Sequence, residues 1–274
     1  MKQLKFDYRM QIRYSEPVSI CHFKIKCLPA ETLRQHLLSA SVEFIPEFSY
    51  SEGLDSFGNR QFYGTAAGAH DSFCFHISGE VEIGQLLCEE PENESLTPLF
   101  RHSSGLNRPG NAIYAYYEMI KNGLPTDIYK RSLALMHCLY RDFFYQPGCT
   151  DTDTSAEEAF LIGKGVCQDY VHIYLSLLHL SGIPARYVTG MIVGEGATHA
   201  WAEVLYHHRW IGIDPTNDLT VNESYIKLGH GRDARDCLIN RGVMKGGGLQ
   251  TQEIRVKVWD SVSEDVRPGP GKAF

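Results

Sequence analysis

No basic tract of five or more residues occurs in the 274-residue chain, and its 26 lysines and arginines face 33 aspartates and glutamates, a net charge of −7. The electrostatic footprint of a nucleic-acid binder is therefore missing, and a small molecule or a protein is the expected substrate. No uncharged run reaches the roughly 18 residues needed to span a bilayer. The N-terminal stretch MKQLKFDYRMQIRYSEP interrupts its apolar residues with charges, unlike the continuous core of a secretory signal. These absences predict a soluble, cytoplasmic protein with no membrane partner. There is no C-x-x-C or H-x-x-x-H pair and no glycine-rich phosphate loop, so no metal and no cofactor is expected. DTDTSAEEAFLI has acids at the first and third positions of a calcium loop, but Ala156 stands at the glycine position and Ile162 at that of the bidentate glutamate. Disulfides are not expected either, because the eight cysteines are scattered along a chain large enough to fold without staples.

What is present changes texture near the middle of the chain. From Leu4 to about Ile83, short runs alternate apolar and polar residues, with aromatics and turn residues between them (LKFDYRMQIRY, SICHFKIKCL, VEFIPEFSYSE, SFCFHISGEVEI). Period two of this kind predicts antiparallel strands and, here, a β-sandwich. The acidic stretch CEEPENESLTP, with two prolines, reads as a linker or exposed crossing loop, which sets an expected boundary between residues 1–92 and 93–274. Beyond it the period lengthens. Ile113, Tyr117 and Ile120 share one helix face, and Ile128, Leu135, Met136 and Leu139 share another. Thr154 and Glu157 predict a capping box for a short helix from Ala156 to Ile162. ARYVTGMIV, THAWAEVLY and RWIGIDP read as strands, the last two joined by a tight turn at His207–Arg209, and LQTQEIRVKVWD as one more strand of the same sheet. The fold class predicted is α+β: a β-sandwich followed by helices packed on an antiparallel sheet.

The chemistry centres on GKGVCQDYVHIYLSLLHLSG, residues 163–182. Gly163 and Gly165 permit an irregular backbone, and the apolar spacing that follows predicts a helix ended by Gly182, so Cys167 sits at a helix N-terminus. A thiol reacts as its thiolate, which a helix N-terminus and a neighbouring imidazolium favour. If THAWAEVLY and RWIGIDP form a hairpin, His199 and Asp214 lie together at the end far from its turn and can supply that imidazole with an orienting carboxylate. Trp201, two residues after His199, shares its face and can wall a substrate site, and Gln168 adjoins the thiol. Each also has a plain structural account, in core packing or in the first helical turn.

These blocks, GVCQDYVHIYLSLLHLSGIPARYVTG, THAWAEV and WIGIDPTND, resemble the transglutaminase-like superfamily of papain-type cysteine enzymes, in particular its bacterial cysteine-protease branch. DSFGN at 55–59 with the strands before it, and HGRDARD at 230–236, are similar to segments of the same branch. The resemblance implies a triad of Cys167, His199 and Asp214, a thioester intermediate, and hydrolysis of amide or peptide bonds in a protein or peptide substrate. Amine transfer by a true transglutaminase and a non-catalytic binding module are the alternatives. The backbone N–H of Cys167 is the natural oxyanion donor; no spacing rule selects a second among the polar and aromatic residues before Gly163.

Overall fold

The computed structural model of the protein describes residues 1–261. In chain order its first strands are β1 (Lys2–Ile25), β2 (Gln35–Ile45), β3 (Tyr50–Leu54), β4 (Arg60–Ile83) and β5 (Cys88–Pro91). Helices α1 (Asn111–Ile120) and α2 (Ile128–Asp142), strand β6 (Phe144–Tyr145), helix α3 (Ala156–Ile162), strand β7 (Lys164–Gly165) and helix α4 (Cys167–Leu180) follow. The chain then runs through β8 (Ala185–Ile192), β9 (Gly194–Gly196), β10 (His199–Tyr206), β11 (Arg209–Asp214), β12 (Leu219–Thr220), β13 (Tyr225–Gly231), β14 (Asn240–Gly246) and β15 (Gln250–Asp260). No helix among the described residues is long and apolar enough to cross a membrane.

The alternation from Leu4 onward becomes one seven-stranded antiparallel sheet built on β1 and β4, each 24 residues long. Leu4, Phe6, Tyr8, Met10 and Ile12 are all buried, as period two requires. Between Arg13 and Ile20 the pairing of β1 with β4 slips twice, and the buried positions change from even to odd, at Cys21, Phe23 and Ile25. Such bulges bend a strand sharply. The bend is large: Phe44 lies opposite Phe75, yet its ring is 5.7 Å from that of Phe62. Phe62 stands thirteen residues earlier on the same strand, about 40 Å away if β4 were straight. The sheet thus folds over on itself, so the expected sandwich is made from two leaves of a single sheet.

The second sheet runs β12-β11-β10-β8-β13, with β5 also pairing β11. Helix α4 packs on β10 and β8; of the stripe its spacing predicts, Val171, Tyr174, Leu175 and Leu178 are fully buried and Leu180, at its end, is partly buried. Leu135, Met136 and Leu139 of α2 enter the same core, whereas Ile128, at the start of that helix, is exposed. The capping box of α3 is one residue later than expected, with Ser155 and Glu158 exchanging bonds. Glu157 instead caps α1, accepting from the backbone N–H groups of Gly110, Ala112 and Ile113.

Two parts of the sequence reading need correction. The acidic stretch at 88–91 is a strand on the edge of the second sheet, and Glu89 is buried against Arg34 at 3.0 Å. Glu90 joins Arg186 and Lys227, which both bind the buried Glu203, at 2.5 and 2.8 Å. Two of the four carboxylates that suggested a solvated linker, Glu89 and Glu90, are neutralised by basic residues far away in sequence, whereas Glu94 is exposed. The other correction is LQTQEIRVKVWD. It is the strand β15, but it pairs with β1 of the first sheet over Leu4–Tyr14, and β14 pairs with β1 over Val18–Ile25. Segments of the first sheet therefore flank the helical core in sequence. The short β9, in the connection from β8 to β10, adds to β15 through Val256–Val258.

Candidate active site

The two glycines before Cys167 have separate tasks. Gly163 ends α3 in the left-handed conformation, with φ of 76°. Gly165 leaves room for Asp169, since a Cβ there would lie 2.3 Å from Asp169 Oδ2. That carboxylate oxygen accepts from the N–H of Val166 at 2.8 Å and from Thr150 Oγ1 at 2.7 Å. Asp169 is almost wholly buried, and burial raises its carboxyl against these bonds. Its position in the first turn of α4 thus ties the start of the helix to the 150s loop and holds the turn that carries Cys167.

Cys167 is the first residue of α4, partly exposed, with its backbone N–H among those that have no partner within a helix. His199 opens β10, and Asp214 closes β11 beyond the last ladder pair, Ala202–Ile213. The hairpin turn is formed by His207 and His208, both with positive φ (47° and 60°), which matches the twist of a two-residue connection. At the far end His199 Nε2–H donates to Asp214 Oδ2 at 2.7 Å. Cys167 lies close enough to the His199 ring to help raise its pKa. With Nε2 committed to the carboxylate, Nδ1 is the ring nitrogen left to face the thiol. The three predicted residues are therefore brought together from the helix mouth and two strand ends.

Burial by itself would lower the pKa of His199, but the hydrogen bond to Asp214, the neighbouring Cys167 and the charges of both push it up to about 10. The imidazole is thus a cation at neutral pH. Burial would likewise raise the carboxyl of Asp214. Instead, the hydrogen bond and charge of His199, with the bonds from Tyr225 and Asn217, hold it below the ordinary range.

Tyr225 was not selected from the sequence. Its hydroxyl donates to Asp214 Oδ2 at 2.7 Å, as does Asn217 Nδ2 at the same distance, while the N–H groups of Thr216 and Asn217 donate to Oδ1. The turn residue Asn217 could be read from DPTND; Tyr225 stands at the start of a strand eleven residues on, and no local pattern marks it.

Trp201 differs from the substrate contact expected of it, and Gln168 is partly exposed beside the thiol. Trp201 is completely buried with Val188, Val221 and Tyr225, its ring 6.4 Å from that of His199 and stacked with it. It supports the imidazole from below and has no surface to offer a substrate. Gly190 makes the space for it, because a Cβ there would lie 2.4 Å from the indole. Gln168 Nε2 donates to the carbonyl of Thr152 at 3.2 Å, so it braces the loop beside the thiol. A residue left unselected before Gly163 does approach Cys167: Tyr145 is paired with Gly165 through the short β6–β7 bridge. Burial raises the Tyr145 hydroxyl pKa, and Cys167 adds to that rise by charge. No group of three or more histidine, cysteine or acidic side chains among the described residues is arranged to hold a metal ion.

Comparison with known proteins agrees with this architecture. The family description "Transglutaminase-like superfamily" matches residues 116–215, and "Bacterial transglutaminase-like N-terminal region" matches residues 4–82. An uncharacterised protein of Mycobacterium tuberculosis is 28% identical over 278 residues, covering 88% of this chain and 87% of its own. One from Mycobacterium leprae is 26% identical over 273 residues, covering 89% and 94%. Among solved structures, "a Putative Cysteine Protease from Cytophaga hutchinsonii" superposes with a TM-score of 0.77 at 21% identity, covering 100% of this chain and 94% of that one, and so has the same fold. With its core matched at 116–215 and its N-terminal region at 4–82, the chain belongs to the transglutaminase-like superfamily, in the bacterial branch that carries that N-terminal region.

Proposed function

We propose that the protein is a cysteine-dependent acyl-transfer enzyme that hydrolyses amide or peptide bonds through a thioester on Cys167. The observation that carries this reading is the hydrogen bond from His199 to the buried carboxylate of Asp214, with Cys167 beside the same imidazole. Cys167 Sγ, its proton already resting on the His199 imidazolium, attacks the carbonyl carbon as the thiolate. The oxyanion forms against the backbone N–H of Cys167, where the helix dipole favours negative charge. We assign the second oxyanion donor to the Tyr145 hydroxyl. His199 then protonates the leaving amine, the C–N bond breaks, and water activated by the same imidazole releases the acid and restores the thiol. Asp214, charged and held by five donors, keeps the imidazole in the Nδ1-facing orientation throughout. Membership of the superfamily supports a cysteine-dependent enzyme, and eight free thiols suit a reducing, cytoplasmic setting.

The test is labelling followed by product analysis. Iodoacetamide at neutral pH is expected to label Cys167 well ahead of the other seven cysteines, and Cys167→Ala to remove the fast phase. Digestion of a peptide library with added primary amine separates the two fates of the thioester: free acids support the hydrolase, and amine adducts would replace it with a transglutaminase. Uniform labelling rates together with unchanged activity in Cys167→Ala would end the enzyme reading.

A further inference from the structure

A cavity of about 780 Å³ lies away from the triad, between the upper leaf of the first sheet and the 234–238 segment. Its size is that of a ligand site. One wall is a row across three strands: Lys24 of β1 stands opposite Tyr63 of β4 on one side and Arg241 of β14 on the other, so the three side chains share a face. Like charges placed directly opposite each other on neighbouring strands repel and weaken the pairing. Here a lysine and an arginine occupy such a pair, both are exposed, and neither has an ion-pair partner among the described residues.

Two carboxylates also face the cavity, and each is already bound. Asp55 holds Lys26 at 2.6 Å, and Asp236 holds Arg232 at 2.8 Å. Phe57, Tyr63 and Val243 add apolar surface to the lining, the last 75% exposed. In a protein of net charge −7 this is a concave site with unneutralised cations beside uncovered apolar surface.

The cavity is connected to the catalytic cleft through a single loop. Arg235, on the opposite wall, binds Asp153 at 3.1 Å, and the neighbouring Thr152 carbonyl receives the Gln168 side chain adjoining Cys167. We infer that the cavity is an accessory substrate site that binds an acidic polypeptide segment, its carboxylates between Lys24 and Arg241 and its apolar side chains on Phe57, Tyr63 and Val243. The segment belongs to the substrate whose amide is attacked at Cys167, which is the part of the inference that rests on the proposed function. A polypeptide is favoured over a nucleic acid because the cavity presents Asp55 and Asp236 beside its cations and offers isolated apolar contacts in place of a long basic track.

The test is performed on the full chain carrying Cys167→Ala, so that binding is read with no contribution from turnover. Fluorescence anisotropy with a labelled ten-residue peptide of alternating glutamate and phenylalanine is expected to show saturable binding that weakens between 50 and 200 mM salt. The same peptide with glutamine for glutamate is expected to bind at least tenfold more weakly, and Lys24→Glu/Arg241→Glu to lose at least tenfold for the acidic peptide. In the Cys167-containing background, an unchanged iodoacetamide rate shows that the double variant is folded; Lys24→Gln/Arg241→Gln serves in its place if it is not. Equal binding of the glutamine peptide, equal binding by the folded double variant, or tighter binding of a labelled oligothymidylate would overturn the inference. Failure of Cys167 to react, with acidic-peptide binding intact, would overturn the proposed chemistry and leave the site.

Discussion

Replacing His199 with glutamine removes a titrating group whose charged form the fold stabilises, and the size of the effect follows from its surroundings. The ordinary imidazole pKa is about 6.5, and in the folded protein it rises to about 10. A difference near 3.5 units at about 1.4 kcal/mol per unit corresponds to roughly 5 kcal/mol. The sign is that of a raised group. Between pH 6.5 and 10 the folded state keeps a proton that the unfolded chain has lost, so stability falls with rising pH by about 1.4 kcal/mol per unit. Below pH 6.5 the contribution is complete; above 10 it is gone. His199→Gln lacks this slope. Urea denaturation at half-unit steps from pH 6 to 10.5 should therefore show wild type well above the variant at pH 6, with the two curves converging toward pH 10. A histidine Cε1–H resonance titrating near pH 10 in wild type, and lower yet above 6.5 in Cys167→Ala, would identify the group, because Asp214 remains as its partner. Parallel stability curves for wild type and His199→Gln would refute the reasoning.

Tyr225→Phe deletes one of five donors to a buried carboxylate while keeping the ring; a bond of this charged kind is worth about 1.5–3 kcal/mol, to be read in urea denaturation at pH 7, and the acid limb of the stability profile should move to higher pH. Gly165→Ala puts a methyl group against Asp169 Oδ2, releasing Val166 N–H and Thr150, and should cost on the order of 1–3 kcal/mol in the same assay while slowing iodoacetamide labelling of Cys167. Glu203→Gln leaves Arg186 and Lys227 buried with only Glu90 between them, an imbalance that costs about 3–5 kcal/mol in midpoint measurements with an unchanged slope; Glu195→Gln, at an exposed pair, is the near-neutral control.

The parts of the fold and site that were legible in the sequence are those written locally. Gly163, Gly165 and the apolar spacing after Cys167 mark a helix mouth without reference to anything distant. The pair THAWAEVLY and RWIGIDP carries its own turn, so the meeting of His199 and Asp214 follows from one hairpin. What could not be read is what depends on partners remote in sequence. LQTQEIRVKVWD is plainly a strand, but period two says nothing about which sheet receives it, and its partner begins near residue 4. CEEP looks solvated because its neutralising groups, Arg34, Arg186 and Lys227, lie 55 residues before it and about 100 or more after. Tyr225 joins the site by a hydrogen bond from a strand eleven residues beyond Asp214, and a two-residue bridge places Tyr145 opposite Gly165, two residues before Cys167. Trp201 shows the reverse: its face was legible and its depth was not, since alternation separates the sides of a sheet without saying which side is covered.

The three residues of β9 have a mechanical meaning. Gly196 is hydrogen-bonded into the edge of the first sheet opposite Val256, and His199 follows after only Ala197 and Thr198. The imidazole is therefore moored from both ends, by its own ladder to Gly190 and by a short tether to the other sheet. Hydrogen exchange at Gly194–Gly196 would register any loosening of that mooring before the triad itself came apart.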